Sequence, residues 1–117
     1  MGEQTSYSLS EATSENSSGV HLSYYDLSEF DAVIESSISN EHKATIFADL
    51  ARFNTLYMIS RAGSGHLGSS FSSMDIVAWI YLNILKDSDK YFSSKGHDAP
   101  GLYAVQTALK ILPFEKI

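Results

Sequence analysis

Two histidines beside glycine carry most of the chemical information in this chain. His66 lies in Ser64-Gly65-His66-Leu67-Gly68, and His97 lies in Ser94-Lys95-Gly96-His97-Asp98. Glycine next to an imidazole lets the backbone come close to a ligand and adopt positive φ. Imidazole donates and accepts near neutral pH, which suits proton transfer and hydrogen bonding to a reacting group. His97 also precedes a segment of helical character, whose first N–H groups favour anions. With Lys95 nearby as a point charge, a phosphate is a chemically sensible ligand there. The plainer reading is that Asp98 caps the helix and His97 merely ends a strand. The plainer reading of His66 is a loop imidazole that is solvated or bonded to backbone.

Other chemistries find less support. Gly63-Ser64-Gly65-His66-Leu67-Gly68 matches the G-x-G-x-x-G spacing. A dinucleotide site needs a strand before that motif, and here a helical pattern precedes it. His21, His42, His66 and His97 show no i, i+4 pairing, and no carboxylates cluster around them, so no metal ligand is assigned. Nothing selects one serine for a Ser-His-Asp arrangement. The chain has no cysteine, which removes disulfides, thiolate chemistry and cysteine-bound zinc.

The net charge of −6 is unevenly placed. Residues 1–41 hold eight acidic residues and no Lys or Arg, while residues 42–117 hold eight bases and six acids. The body is therefore near neutral and shows no basic stripe, so no nucleic-acid partner is expected. Residues 1–5 lack the charge and apolar run of a secretory signal. The longest apolar segment, Met74 to Leu85, is too short to span a bilayer. A cytoplasmic protein without a membrane partner is the expectation.

The elements that must position the two histidines follow from periodicity. Residues 1–40 read as an acidic, Ser-rich tail, largely disordered, because residues 1–20 hold few large apolar side chains. Residues 21–40 are transitional, a short helix or an extended arm packed on the body. From Glu41 to Arg61 apolar residues recur at helical spacing, with Ile46, Leu50, Phe53 and Tyr57 on one stripe and Phe47, Ala51 and Met58 beside it. Asn40 is the expected N-cap and Gly63 the expected stop. A loop is predicted from Ala62 to Ser70, then a capping box at Ser72 and Asp75 opening a helix to about Leu85. That helix is apolar nearly all round and should be buried on most sides. Lys86–Asp89 reads as a turn and Lys90–Ser94 as a short strand. Pro100 suits the first turn of a third helix, which Pro113 ends. The fold class expected is α/β, mostly helical over this length, with one or two short strands at most.

Taken together, the segment from about Ala51 to Leu112 resembles the N-terminal part of the transketolase family. Arg61-Ala62-Gly63-Ser64-Gly65-His66-Leu67-Gly68-Ser69-Ser70-Phe71-Ser72 is similar to the family's first motif. Asp89-Lys90-Tyr91-Phe92-Ser93-Ser94-Lys95-Gly96-His97-Asp98-Ala99-Pro100-Gly101-Leu102-Tyr103-Ala104 is similar to its second. Lys95 resembles the forms whose N- and C-terminal parts are separate subunits.

The resemblance implies a thiamine diphosphate-binding fold, with residues 41–117 as the opening of that domain. It implies transfer of a two-carbon ketol unit between sugar phosphates, with His66 catalytic and Lys95, Gly96 and His97 holding the cofactor. Mg²⁺ is implied too, with its ligands outside this chain, since no G-D-G motif occurs in it. Leu67 stands where the family usually has proline. The chain alone is expected to be incomplete, finished by the remaining transketolase domains or a complementing subunit, in a homodimer. The alternative is a non-catalytic truncated paralogue whose helices serve as an interaction module.

Overall fold

The computed structural model describes residues 10–15, 21–63, 67–93 and 99–116. They form a two-stranded antiparallel sheet and four α-helices, with a π-helical turn after the third helix and a short 3-10 turn at the end. β1 (Ser10–Glu15) pairs with β2 (His21–Tyr24), Glu15 opposite His21 and Ser14 opposite Leu22, with an irregularity between Ser10 and Ser14. The expectation of a mostly helical fragment with at most two short strands agrees with this. The expected strand over 90–94 does not: residues 90–93 have no regular structure. A single strand needs a neighbour to bond to, and β1 and β2 are already paired with each other.

α1 (Leu27–Glu35) starts where the Asp26 carboxylate accepts the Leu27 N–H at 2.8 Å. Phe30 and Val33, three apart, point the same way and are fully buried. The Phe30 ring meets Phe47 edge-on at 5.0 Å. At the far end Lys43 Nζ donates to the Ile34 carbonyl at 2.9 Å, satisfying one of the acceptors a helix leaves open. The segment read as a largely disordered tail thus contributes β1, β2 and α1 among its described residues. Within it, α1 is the short helix, one of the two readings of residues 21–40, packed on α2 through Phe30 and Phe47.

α2 (Asn40–Ala62) is the central element. Its N-cap is Ser39, whose Oγ accepts the His42 N–H at 3.2 Å, not Asn40 as expected. Gly63 ends it in the left-handed conformation at φ 74°, donating to the Ile59 carbonyl at 3.0 Å. The buried face runs through Ala44, Phe47, Ala48, Ala51 and Thr55, with Leu50, Asn54 and Tyr57 beside it. Small residues at 44, 48 and 51 lie one turn apart, which leaves room for a neighbouring helix.

α3 (Leu67–Trp79) begins five residues before the predicted capping box. Ser72 lies inside the helix, where its hydroxyl donates back to the Gly68 carbonyl at 2.9 Å. Asp75 instead faces α2, where Arg52 takes its two oxygens at 2.7 and 3.3 Å. Arg52 also donates twice to the Phe71 carbonyl, at 3.0 and 3.1 Å, and once to Asp49 at 2.9 Å. The hydrogen bonds it donates to Asp75 hold the guanidinium above even its ordinary high pKa, against the opposing effect of burial.

The π turn (Ile80–Ile84) closes with the Leu85 N–H on the Ile80 carbonyl at 2.8 Å. Lys86–Asp89 is a turn as predicted, with the Asp89 N–H on the Lys86 carbonyl at 2.8 Å. α4 (Ala99–Ala108) has Pro100 in its first turn. It ends well before Pro113, because Lys110 adopts a left-handed φ of 64°. Lys110 Nζ also reaches Asp31 at 3.2 Å, tying that end to α1. The core lies between α2, α3 and α4, around Phe47, Ala51, Met74, Ala78, Ala104 and Val105. The apolar segment 74–85 is not buried on most sides: Ile76 is 63% exposed and Ile84 55%.

Candidate functional site where two helices begin

α3 and α4 run in the same sense. Their first turns meet where the Gly101 N–H donates to Ser70 Oγ at 3.2 Å. Further along, Gln106 Nε2 donates to the Tyr81 hydroxyl at 3.2 Å. Parallel helices put both N-termini at one end, and the positive ends of two helix dipoles then lie side by side. α2 reaches that end as well, since Gly63 stops it three residues before α3 opens.

The approach is close because of residue size. A Cβ on Gly101 would fall 2.9 Å from Ser70 Cβ, 3.0 Å from Ser70 Oγ and 3.2 Å from Met74 Cε. Ser70, Ser73, Tyr91, Ser93 and Gly101, with Met74, Val77 and Leu102, line a cavity of about 10 Å³, the space of one water. Tyr91 is set against Tyr81, ring centres 5.7 Å apart. The cavity wall thus mixes hydroxyl-bearing and hydrocarbon side chains.

His66, Lys95, Gly96 and His97 lie outside the described residues. Their chain neighbours do not. His66 directly precedes Leu67, the first residue of α3, and His97 stands two residues before Ala99, the first of α4. The described flanks of both motifs are therefore brought to one end of the molecule. At the start of α4, Pro100 has no N–H, and that of Gly101 goes to Ser70.

Sequence reasoning missed Ser70 and Gly101. A glycine inside a helical run is a sign of close packing, and Gly101 is one; its partner carries no such mark. Among the described residues no group of three or more His, Asp or Glu is placed to hold a metal. Among them, too, no helix is long and apolar enough to cross a membrane.

No protein-family model matches the chain, and no solved structure matches it. It is similar to the 6-deoxy-6-sulfo-D-fructose transketolase subunit SqwG of Clostridium sp. (strain MSTE9), at 31% identity over 90 residues. The match covers 69% of this chain and 31% of the relative, so the chain spans about a third of the length of the curated protein it matches.

Proposed function

We propose that this chain is the N-terminal part of a transketolase-like enzyme that moves a two-carbon ketol unit between sugar substrates with thiamine diphosphate and Mg²⁺. Residues 41–117 are then the opening of the thiamine diphosphate-binding domain, and the rest of the domain comes from further polypeptide, as one chain or a complementing subunit, in a homodimer. The observation that carries the reading is the Ser70–Gly101 contact. It joins the helix starts that follow the two histidine motifs, as a single site using both histidines requires. The similarity to a transketolase subunit supports it independently.

On this reading the anionic end of the cofactor lies before the starts of α3 and α4, where the helix dipoles favour negative charge. Two helix N-termini side by side repel one another unless negative charge lies between or before them. Lys95, Gly96 and His97 would hold the diphosphate through a point charge, a backbone N–H and an imidazole. His66 would hydrogen-bond the ketose and move a proton at its reacting oxygen, a role worth about 10²–10⁴-fold in rate. When bound, thiamine diphosphate supplies the carbon nucleophile that takes up the two-carbon unit. The Mg²⁺ ligands come from the completing polypeptide. The clostridial relative is named for a sulfo-sugar; a sulfonate and a phosphate both present a terminal anion, so either class of sugar is a candidate substrate.

The test begins by reading the encoding DNA past the codon for Ile117 to find the completing polypeptide. The assembled protein is then titrated with thiamine diphosphate by calorimetry and assayed for two-carbon transfer from ketose phosphate and 6-sulfo-ketose donors. His97→Ala is expected to weaken cofactor binding more than His66→Ala, and His66→Ala to lower turnover per bound cofactor. If the assembled wild type binds no thiamine diphosphate, the chain is the non-catalytic interaction module instead.

A further inference from the structure

We propose that the groove between the start of α2 and the end of α3 is a docking site for an arginine side chain of a partner polypeptide. The inference goes beyond the proposed function and does not rest on it. Glu41, Ala44 and Thr45 of α2 and Asp75 and Trp79 of α3 line a groove of about 230 Å³. The two helices run antiparallel. Arg52 meets Phe71 and Asp75, and Glu41, about three turns before Arg52, reaches Trp79, the last residue of α3.

Two carboxylates and an indole share this groove, and no basic side chain lines it. No described residue pairs with the Glu41 carboxylate or accepts the Trp79 indole N–H. Asp75 holds Arg52 at 2.7 Å, yet its side chain is 62% exposed, and carboxylate oxygens have lone pairs to spare. The Thr45 hydroxyl donates to the Glu41 carbonyl at 3.0 Å and keeps its oxygen as an acceptor. Lys43 does not neutralise the groove, because its Nζ is spent on the Ile34 carbonyl. The lining thus offers acceptors and a ring face, which a cation complements. Arginine matches it better than lysine: its planar, weakly hydrated guanidinium stacks on an indole and donates to a carboxylate in a fork. The volume is below the roughly 300–1,000 Å³ of pockets for free small ligands and suits one long side chain. Ile76, three residues before Trp79 and 63% exposed, adds an apolar rim. A polypeptide covers such a rim, and a free cation does not.

Trp79 is the one tryptophan of the chain, so its fluorescence reports on the groove alone. The full chain, kept dilute enough to be monomeric, is titrated with acetyl-Leu-Arg-Leu-amide and with the same peptide carrying lysine or citrulline. A saturable change in emission is expected with the arginine peptide, a weaker one with lysine and none with neutral citrulline. Raising salt from about 0.1 to 1 M should weaken the response. Glu41→Gln is expected to lower the affinity about tenfold. Thr45→Lys, at an exposed helix position, places a cation of the chain's own in the groove and should abolish the response, with helical circular dichroism unchanged in both variants. Equal binding of the citrulline peptide would mean an apolar occupant and overturn the proposal. Unchanged affinity in Glu41→Gln, or no saturable change below about 10 mM peptide, would overturn it as well.

Discussion

Asn54, fully buried in the middle of α2, grips the backbone of Tyr25 from both sides. Its Oδ1 accepts the Tyr25 N–H at 2.7 Å, and its Nδ2 donates to the Tyr25 carbonyl at 2.9 Å. The side-chain amide behaves here like the edge of a strand. The grip places Tyr24 edge-on to Tyr57 at 5.0 Å and Tyr25 edge-on to Phe53 at 5.2 Å. Asn54→Leu leaves the two Tyr25 groups unmatched, each at a cost of about 1–3 kcal/mol. A loss of about 2–6 kcal/mol in urea unfolding is expected, with faster amide exchange through residues 21–26.

Met74 is the largest α3 side chain in the core and touches the Gly101 contact. Met74→Ala is expected to cost about 2–5 kcal/mol, while Met74→Leu stays under about 1.5 kcal/mol. Denaturant midpoints of the two variants decide this; near-equal values would mean that the α3–α4 seam is not tightly packed.

Arg52 joins α2 to α3 through Asp75 and the Phe71 carbonyl. Asp75 is largely exposed, so the ion pair alone is worth little. The bonds to a buried-side carbonyl count for more. Arg52→Met is therefore expected to destabilise by about 1–2 kcal/mol, and Asp75→Asn by less than about 1 kcal/mol. Raising salt should weaken the wild type only slightly.

The Tyr24 phenol is held above its ordinary pKa, chiefly by burial and then by the charge of Asp26, with Arg61 opposing. A raised folded-state value favours the neutral form. Its stabilising contribution is intact below the unfolded pKa of about 10 and fades as pH rises through the folded value. Thermal scans from pH 8 to 11 should show the melting temperature falling at the alkaline end. Tyr24→Phe should flatten that fall.

Ile76, Ile84 and Phe92 are 63%, 55% and 84% exposed. Such apolar surface suits a polypeptide that finishes the fold. Alone at micromolar concentration the chain is expected to self-associate, as read by analytical ultracentrifugation. Ile84→Glu with Phe92→Glu should reduce that association with a change in stability below about 1 kcal/mol. Under the proposed function the same pair should also weaken assembly with the completing polypeptide.

The helices were legible where one signal dominated. Gly63 announced the end of α2 because only a left-handed residue closes that turn, and Pro100 announced the start of α4. Boundaries failed where side chains had two uses. Ser72 and Asp75 have capping-box spacing, yet Ser72 bonds back into its own helix and Asp75 is spent on Arg52, twenty-three residues away. Residues 21–40 read equally as a short helix or an extended arm; burial of Phe30 and Val33 against α2 is what decides for the helix at Leu27–Glu35. The motifs around His66 and His97 were visible as letters. Their common end was not, since it depends on a contact between Ser70 and Gly101, thirty-one positions apart.

The turn at Ile80–Ile84 holds one residue more than an α-helix of the same rise would need. In terms of descent it has the form of a single-residue insertion absorbed by widening the helix. Related chains aligned here should differ in length by one residue inside this turn.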